Sequence, residues 1–494
     1  MRLFRRFYKW ALLCQMAVTG LAAAAQNIPA LLWITNSSVK LEQVIGDVDW
    51  ATGSNTVSQT ASRFNIVAND LGSSFLNGTN LIFLFGDTRG SNVSYNAADP
   101  LAWSTSTRGD QGLLINFFTN SMGSNVFINP PGISMAGDDT PNAGITISNV
   151  IYLVCNTGSI TTNNDKHADD YSVLVTFNET DLNPVGSPFQ TNRTISATTN
   201  GGHFVYTSLH QVGTNIFIFG EGTYRKSDIY LSSVPVIAFV NGAGTLYFAG
   251  LTNGQPEWTT VETNAVPILQ DNPTNGPPWP NDSPTVAHLS VAYSAGLGLW
   301  LMTYDGGRNA PETDGIYFSS AAQPWGPWSK PQLIFNAFRD MGYGVFMYNP
   351  TNNPTGPAGP TADPAKNDPT NTTGVVYAPN LIEPFTTISN STLYIYYLMS
   401  TWNPYTVVKM RSAFSIVPVV DPASLVKLKN KFSFAWNAPT NMTFQVGFST
   451  NFAAGWTTLT NLVTSTNGTF NFTDSGTHSG GFGNTKFYRL QSLP

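Results

Sequence analysis

Apolar positions along this chain fall in short β-prone runs broken by Gly, Asn and Pro, with almost no helical spacing beyond the first 25 residues. One pair of runs organises the rest. Ile66 to Leu76 and Leu81 to Asp87 flank Asn77-Gly78-Thr79-Asn80, the turn chemistry of a β-hairpin. With Leu76 facing Leu81, counting back along both strands sets Asp70 opposite Asp87. Cross-strand Cα atoms lie roughly 4.5 to 5.5 Å apart, so this register predicts two carboxylates sharing one face at the open end of the hairpin. Like charges that close raise one pKa and leave the other group ionised. An acid working beside a nucleophile or base requires that asymmetry.

The hairpin recurs four times. The echoes are Pro141 to Ile145 with Val150 to Asn156, Gly202 to Tyr206 with Ile216 to Glu221, Ala287 to Val291 with Leu299 to Asp305, and Ala378 to Ile382 with Leu393 to Ser400. Third strands follow at Leu101 to Thr107, Tyr171 to Phe177, Ile229 to Pro235, Gly315 to Ala321 and Tyr405 to Ala413, and most units carry a fourth, such as Leu113 to Phe118 or Pro331 to Phe335. Five four-stranded units at intervals of roughly 65 to 95 residues predict an all-β fold, a five-bladed β-propeller over residues 26–415. The fifth unit lacks a fourth strand, and Leu31 to Leu41 is placed to supply it and tie the ring shut. The first strands would then line a channel with Asp70, Asn142, His203, His288 and Asn380. Second strands would add Asp87, Asn156, Glu221, Asp305 and the Ser400-Thr401-Trp402 corner.

Residues 1–25 stand outside this pattern. Arg2, Arg5, Arg6 and Lys9, an apolar stretch from Trp10 to Leu21, and Ala23-Ala24-Ala25 have the form of a secretory signal peptide, too short for a membrane span. No later stretch is long and apolar enough to cross a bilayer, so secretion to an extracellular or periplasmic location is expected. Processing removes four positive charges from a chain whose formal charge is already −6, and no basic run remains to attract nucleic acid. Only Cys155 survives, which rules out an intrachain disulfide and suits a structural thiol. Few charges among many Asn, Thr, Gly and aromatic residues fit a secreted carbohydrate-active β protein. Residues 416–431, with Pro418, Pro422 and several lysines, read as a linker, and alternation within 432–494 predicts a small C-terminal β-sandwich accessory domain.

The remaining motifs narrow the chemistry. His167, His203, His210, His288 and His478 are scattered without metal-ligand spacing, so no metal centre or cofactor is expected, although Asn and Asp oxygens in the channel leave a Ca²⁺ open. No Gly-x-Ser-x-Gly elbow or phosphate-binding glycine loop is present. Asp138-Asp139 and Asp169-Asp170 read as solvated loop pairs, and Trp325 with Trp328 as packing between sheets. Trp402 is placed to stack on a sugar ring. Arg225 is placed to clamp hydroxyls or a carboxylate, or else to pair with Asp228.

Asn-Asp-Leu-Gly at 69–72, Phe-Gly-Asp-Thr at 85–88, Gly-Thr-Tyr-Arg with Ile-Tyr-Leu at 222–231, Trp-Gly-Pro-Trp-Ser at 325–329 and Tyr-Ala-Pro-Asn … Met-Ser-Thr-Trp-Asn-Pro-Tyr at 377–405 occur in that order. Together they resemble the bacterial family known as domain of unknown function 4185, which includes the endo-D-arabinanases of glycoside hydrolase family 183. The resemblance covers about residues 45 to 415. It implies a five-bladed propeller, retaining hydrolysis, and a catalytic aspartate pair at the positions of Asp70 and Asp87. The Pro/Asn-rich loops Asn349 to Thr373 and Asp271 to Asp282 depart from the arabinanase members, which sets the substrate end apart.

The expectation is a secreted glycoside hydrolase cleaving a furanoside-type polysaccharide or oligosaccharide, with Asp70 as nucleophile and Asp87 as acid/base. Asn142, His203, Glu221, Arg225, His288, Asp305, Asn380 and Trp402 are its candidate substrate-binding residues. The alternative is a non-catalytic, lectin-like propeller that binds glycan in the same funnel.

Overall fold

The structure is a computed structural model that describes residues 29–90, 98–158, 170–183, 186–225, 227–270, 286–307, 311–351, 372–440, 442–451, 455–460, 462–482 and 485–493. The signal-peptide expectation for residues 1–25 lies outside them, as do His167, Asp169 and most of the two Pro/Asn-rich loops. Helix among the described residues is limited to α1 (Thr60–Phe64) and single 3-10 turns.

The chain divides into two compact units, the larger being Leu31–Gly250 with Trp258–Val417. It opens with β1 (Ala30–Trp33) and β2 (Val39–Gln43), which join the last of five antiparallel sheets. The first sheet is β3 (Leu71–Asn77), β4 (Asn80–Phe85), β5 (Leu101–Ser104) and β6 (Asn116–Phe117). The second is β7 (Pro141–Ile147), β8 (Val150–Thr157), β9 (Tyr171–Phe177) and β10 (Phe189–Ala197). The third is β11 (Tyr206–Val212), β12 (Asn215–Glu221), β13 (Tyr230–Pro235), β14 (Leu246–Thr252) and β15 (Gln255–Thr259). Then come β16 (Ala287–Ser294), β17 (Leu299–Gly306), β18 (Gly315–Ala321) and β19 (Gln332–Phe335). The fifth sheet holds β20 (Val376–Leu381), β21 (Thr387–Ser389), β22 (Thr392–Trp402) and β23 (Tyr405–Val417), with β1 and β2 both on β23. The strand missing from the fifth unit is thus supplied by the N-terminal segment.

Burial on both faces explains why these strands read as unbroken apolar runs. In β4, Leu81, Phe83 and Phe85 pack with Tyr396 and Leu398 of the fifth sheet, while Ile82 and Leu84 face Leu153 and Val173 of the second. Similar cores fill the seams between sheets two and three and between three and four. The first strands neighbour one another in a closed circuit: β3 with β7, β7 with β11, β11 with β16, β16 with β20, and β20 with β3. Side chains stitch the seams, among them Asn142 Nδ2 donating to Val205 O (3.1 Å), Ser172 Oγ to Phe204 O (2.6 Å) and Thr303 Oγ1 to Pro379 O (2.6 Å). Between the first strands a cavity of about 650 Å³ is lined by residues such as Ser74, Thr146, Ser208 and Ser290, while the space nearer the strand starts, lined by Asn142, Tyr206, His288 and Asn380, is only about 20 Å³. That is close to the room one water needs.

The second unit gathers Pro418–Pro494 with Leu251–Glu257. Residues 416–431, expected as a linker, contain β24 (Val419–Val420) and β25 (Val426–Leu428), and both pair with β26 (Lys431–Asn437). β27 (Thr443–Ser449), β28 (Thr457–Thr458) and β30 (Phe487–Leu493) form another sheet, whereas β29 (Thr469–Asp474) extends the first. Trp436 of β26 meets Phe444 of β27 edge-on at 5.4 Å, so aromatic rings fill the space between the sheets.

The N-terminal strand is fastened by charge as well as by its ladder. Lys409 Nζ on β23 lies 2.5 Å from Glu42 Oε1 on β2, with both side chains largely buried, and Glu42 also accepts the Leu113 amide (2.9 Å). Removing one partner of a buried pair strands the other charge. Lys409→Met is expected to cost about 3 to 5 kcal/mol in denaturant unfolding. Adding Glu42→Gln should recover most of that loss, and no recovery would mean the pair does not bear on closure.

Candidate active site

The site residues gather where the first strands begin, because four of the five first strands are bulged at that end. Register shifts fall between Leu71 and Ser73, Pro141 and Ala143, Ala287 and Ser290, and Tyr377 and Asn380. A bulge turns a strand and re-aims its side chains. Three of these bends force non-glycine residues to positive φ: Leu71 (63°), His288 (45°) and Ala378 (50°). Such conformers cost of order 1 to 3 kcal/mol and need outside support. Each strained amide receives it from the neighbouring sheet: Leu71 N–H donates to Ser400 Oγ (2.8 Å), His288 N–H to Glu221 Oε1 (3.1 Å) and Ala378 N–H to Asp305 Oδ1 (3.1 Å). Glu221 and Asp305 therefore hold backbone.

The bulge changes the predicted register. Leu76 does face Leu81, but the extra residue at Gly72 sets Leu71 against Phe85, and Gly86 N–H donates to Asp70 O (3.0 Å). Asp70 thus stands across from Gly86, one residue short of Asp87. Its carboxyl lies so close that a Cβ on Gly86 would be 2.3 Å from Asp70 Oδ1. Tyr377 Oη donates to Asp70 Oδ2 at 2.8 Å, and Tyr405 Oη, beside the same carboxyl, donates to Asp87 O at 3.0 Å. Burial raises the Asp70 pKa to about 6, against the two tyrosine hydroxyls that lower it and with the charge of Asp138 adding to the rise. Asp87 is half-buried. Behind the pair Asp99 is fully buried, and burial with the charges of Asp87, Asp70 and Asp139 pushes its pKa well up, favouring the protonated form.

A second group faces this one from sheets three to five. His288 Nδ1 lies 3.1 Å from Asp305 Oδ1, and Tyr224 Oη is 3.3 Å from the same imidazole. The His288 ring is 5.8 Å from that of Tyr377. Burial and the Asp305 charge push Glu221 well above the usual carboxylate range. Arg225 lies over the Tyr224 ring at 4.5 Å with its buried Nε unpartnered, and Asp228 instead accepts from Gln270 (3.0 Å). Trp402 packs edge-on against Tyr405 and near Tyr377, 6.0 and 6.4 Å between centroids, beside the aspartates.

Asn142, His288 and Asn380 line the axial passage, but His203 does not join them. It precedes β11, where its ring stacks on Tyr230 at 3.8 Å and its amide donates to Glu262 Oε1 (2.7 Å). The first-strand position goes to Tyr206, paired with Glu221 and donating its hydroxyl to Asp170. Asp139 and Asp170, expected in solvated loops, are buried. Trp325 packs between sheets three and four, as expected, and Cys155 is a buried thiol whose pKa burial pushes up. Asp99 and the hydroxyl roles of Tyr377 and Tyr405 escaped sequence reasoning, although both tyrosines stand in the 377–405 motif and Tyr377 is the second residue of β20, just before its bulge. No group of three or more His, Cys, Asp or Glu among the described residues is placed to hold a metal ion.

Fold and site define an all-β protein whose ring of first strands carries an acid- and tyrosine-lined site at one end. The chain belongs to the family described as Domain of unknown function (DUF4185), which it matches over residues 55–411. No curated protein sequence matches it. Among solved structures it is similar to the endo-1,5-alpha-L-arabinanase from Thermotoga petrophila, at 9% identity and TM-score 0.37, covering 83% of this chain and 98% of that one. It is similar also to the exo-beta-1,3-galactanase from Phanerochaete chrysosporium, at 12% identity and TM-score 0.37, covering 92% of this chain and 93% of that one. Similarity this low carries no reading of activity.

The raised Asp70 pKa has a sign that stability measurements can read. Between its ordinary value of 3.8 and about 6 the folded state binds the proton more tightly than the unfolded chain, so stability falls as pH rises through that window. An Asp70→Asn variant escapes this loss and should be more stable than its parent at pH 7.5, by up to about 3 kcal/mol. The margin should vanish near pH 4. Equal stabilities at both pH values would show a solvated carboxyl.

Proposed function

We propose that the five sheets are the blades of a five-bladed β-propeller and that the chain is a secreted glycoside hydrolase acting on a furanoside-type polysaccharide, similar to the endo-D-arabinanases. One observation carries this reading: a carboxyl with its pKa raised to about 6 stands at the end of the same hairpin as a second, less buried carboxyl. A group poised near the working pH suits a general acid. The roles are therefore the reverse of those expected from sequence, with Asp70 as acid/base and Asp87 as nucleophile.

In the retaining scheme Asp70 protonates the leaving oxygen while Asp87 attacks the anomeric carbon, forming a glycosyl-enzyme ester and releasing the first sugar product. Asp70, now ionised, takes a proton from a water whose oxygen displaces Asp87. Retention asks for carboxyl groups about 5 to 5.5 Å apart, and the charges of Asp70 and Asp87 both act on the buried Asp99, which supports their nearness. Arg225 and His288 supply hydroxyl contacts and Trp402 offers a ring face beside the aspartates, whereas Asn142 and Asn380 hold neighbouring carbonyls in a space with room for about one water. Glu221 and Asp305 act through the backbone they hold, and His203 is omitted. The C-terminal unit is read as a small β-sandwich accessory, and no helix among the described residues is long and apolar enough to cross a membrane.

Release of reducing ends from arabinan-type and other furanoside polymers tests this. Turnover by the parent and a fall of roughly 10³-fold or more in Asp87→Asn are expected. Glycan binding without turnover, unchanged by the substitution, would contradict hydrolysis and leave the lectin-like alternative.

A further inference from the structure

We infer that three hydroxyls of the fifth sheet form a clamp that fixes the acid-bearing end of the first hairpin, with Tyr377 as the positioning residue for the Asp70 carboxyl. The three contacts fall on three successive features of that end. Tyr377 of β20 donates to the Asp70 carboxyl (2.8 Å), Ser400 of β22 accepts the Leu71 amide (2.8 Å), and Tyr405 of β23 donates to the Asp87 carbonyl (3.0 Å). Side chain, strained backbone and the second aspartate are thus all referenced to one neighbouring sheet.

The clamp is itself braced. Tyr377 and Tyr405 are buried with Ala68, Leu71 and Ala378, and Trp402 packs against this cluster. On its other side the Asp70 carboxyl meets Gly86, where only the lack of a Cβ leaves room. Hydroxyl and glycine together leave one orientation for a group that would otherwise turn about χ1. A nucleophile and an acid must be held to a fraction of an ångström to work on one bond.

The charged and titratable groups around Asp70 are Tyr377 and Tyr405 from the fifth sheet, Asp138 before β7, and Asp87 and Asp99 from its own sheet. His288 and Tyr224 lie beyond Tyr377. Among these the tyrosine hydroxyls favour the charged carboxylate, and the acids oppose it.

The inference deepens the hydrolase reading and rests on it for its kinetic consequence, so the test has two arms. Tyr377→Phe removes one oxygen. With a turned-over furanoside polymer, kcat should fall roughly 10- to 100-fold with KM within about twofold, since orientation is lost and binding is not. The basic limb of the kcat/KM profile should move up by about one pH unit, because the lost hydrogen bond had stabilised the ionised form. The second arm needs no substrate: carbon-13 aspartate labelling, with Asp70→Asn to assign the signal, should show the Asp70 titration moving up in Tyr377→Phe. A moved titration in a parent that turns nothing over would support the clamp and count against the hydrolase. Unchanged profile and titration, with only thermal stability lowered, would reduce Tyr377 to packing and overturn the inference. Ser400→Ala and Tyr405→Phe should lower kcat without moving that titration as far, and a larger shift in either would also overturn it.

Discussion

Burying the Asp70 carboxyl between the Tyr377 hydroxyl and the bare backbone of Gly86 is the constraint on which the site depends. In water this group would titrate near its ordinary value and turn freely. Walled off, its pKa rises to about 6, and the two tyrosine hydroxyls keep the rise from going further. The fold gives up stability at neutral pH to keep it there, a trade often found where activity needs a strained or desolvated group.

That constraint reaches the whole ring through its seams. The bends that present Asp70, His288 and the start of β20 put Leu71, His288 and Ala378 into conformations that these residues rarely adopt. Each persists because a side chain of the adjacent sheet takes its amide. Strain in one sheet is thus relieved by the next, and rim geometry depends on the circuit of first strands being closed. The Glu42–Lys409 pair and the β2–β23 ladder, remote from the acids, belong to the same device because they complete the sheet that carries Tyr377, Ser400 and Tyr405.

Much of the fold was legible because a strand buried on both faces leaves an unmistakable apolar run, as at Leu81 to Phe85 or Val150 to Cys155. The hairpin of Pro141 to Ile145 with Val150 to Asn156 and the N-terminal strand on β23 followed from local pattern alone. The site was legible only to within one residue. Counting register assumes a regular ladder, and one inserted residue at Gly72 moved Asp70 from Asp87 to Gly86. His203 was misplaced because the third hairpin begins later than its polar residue suggested, which leaves Tyr206 on the first strand. Asp139 and Asp170 looked solvated because sequence separates loops that run over the surface from loops that dive under a rim only by what packs on them. Tyr377 opens the Tyr-Ala-Pro-Asn motif, but its role exists only once β20 lies beside β3.

If two acids at the end of one hairpin act on one glycosidic bond, Asp87 makes the covalent intermediate. A slow-turnover 2-deoxy-2-fluoro furanoside with a good leaving group should trap that ester, and peptide mass spectrometry reads where it forms. A single adduct on Asp87, absent in Asp87→Asn, is expected. An adduct on Asp70, Glu221 or Asp305, or none despite turnover of the natural polymer, would contradict this role.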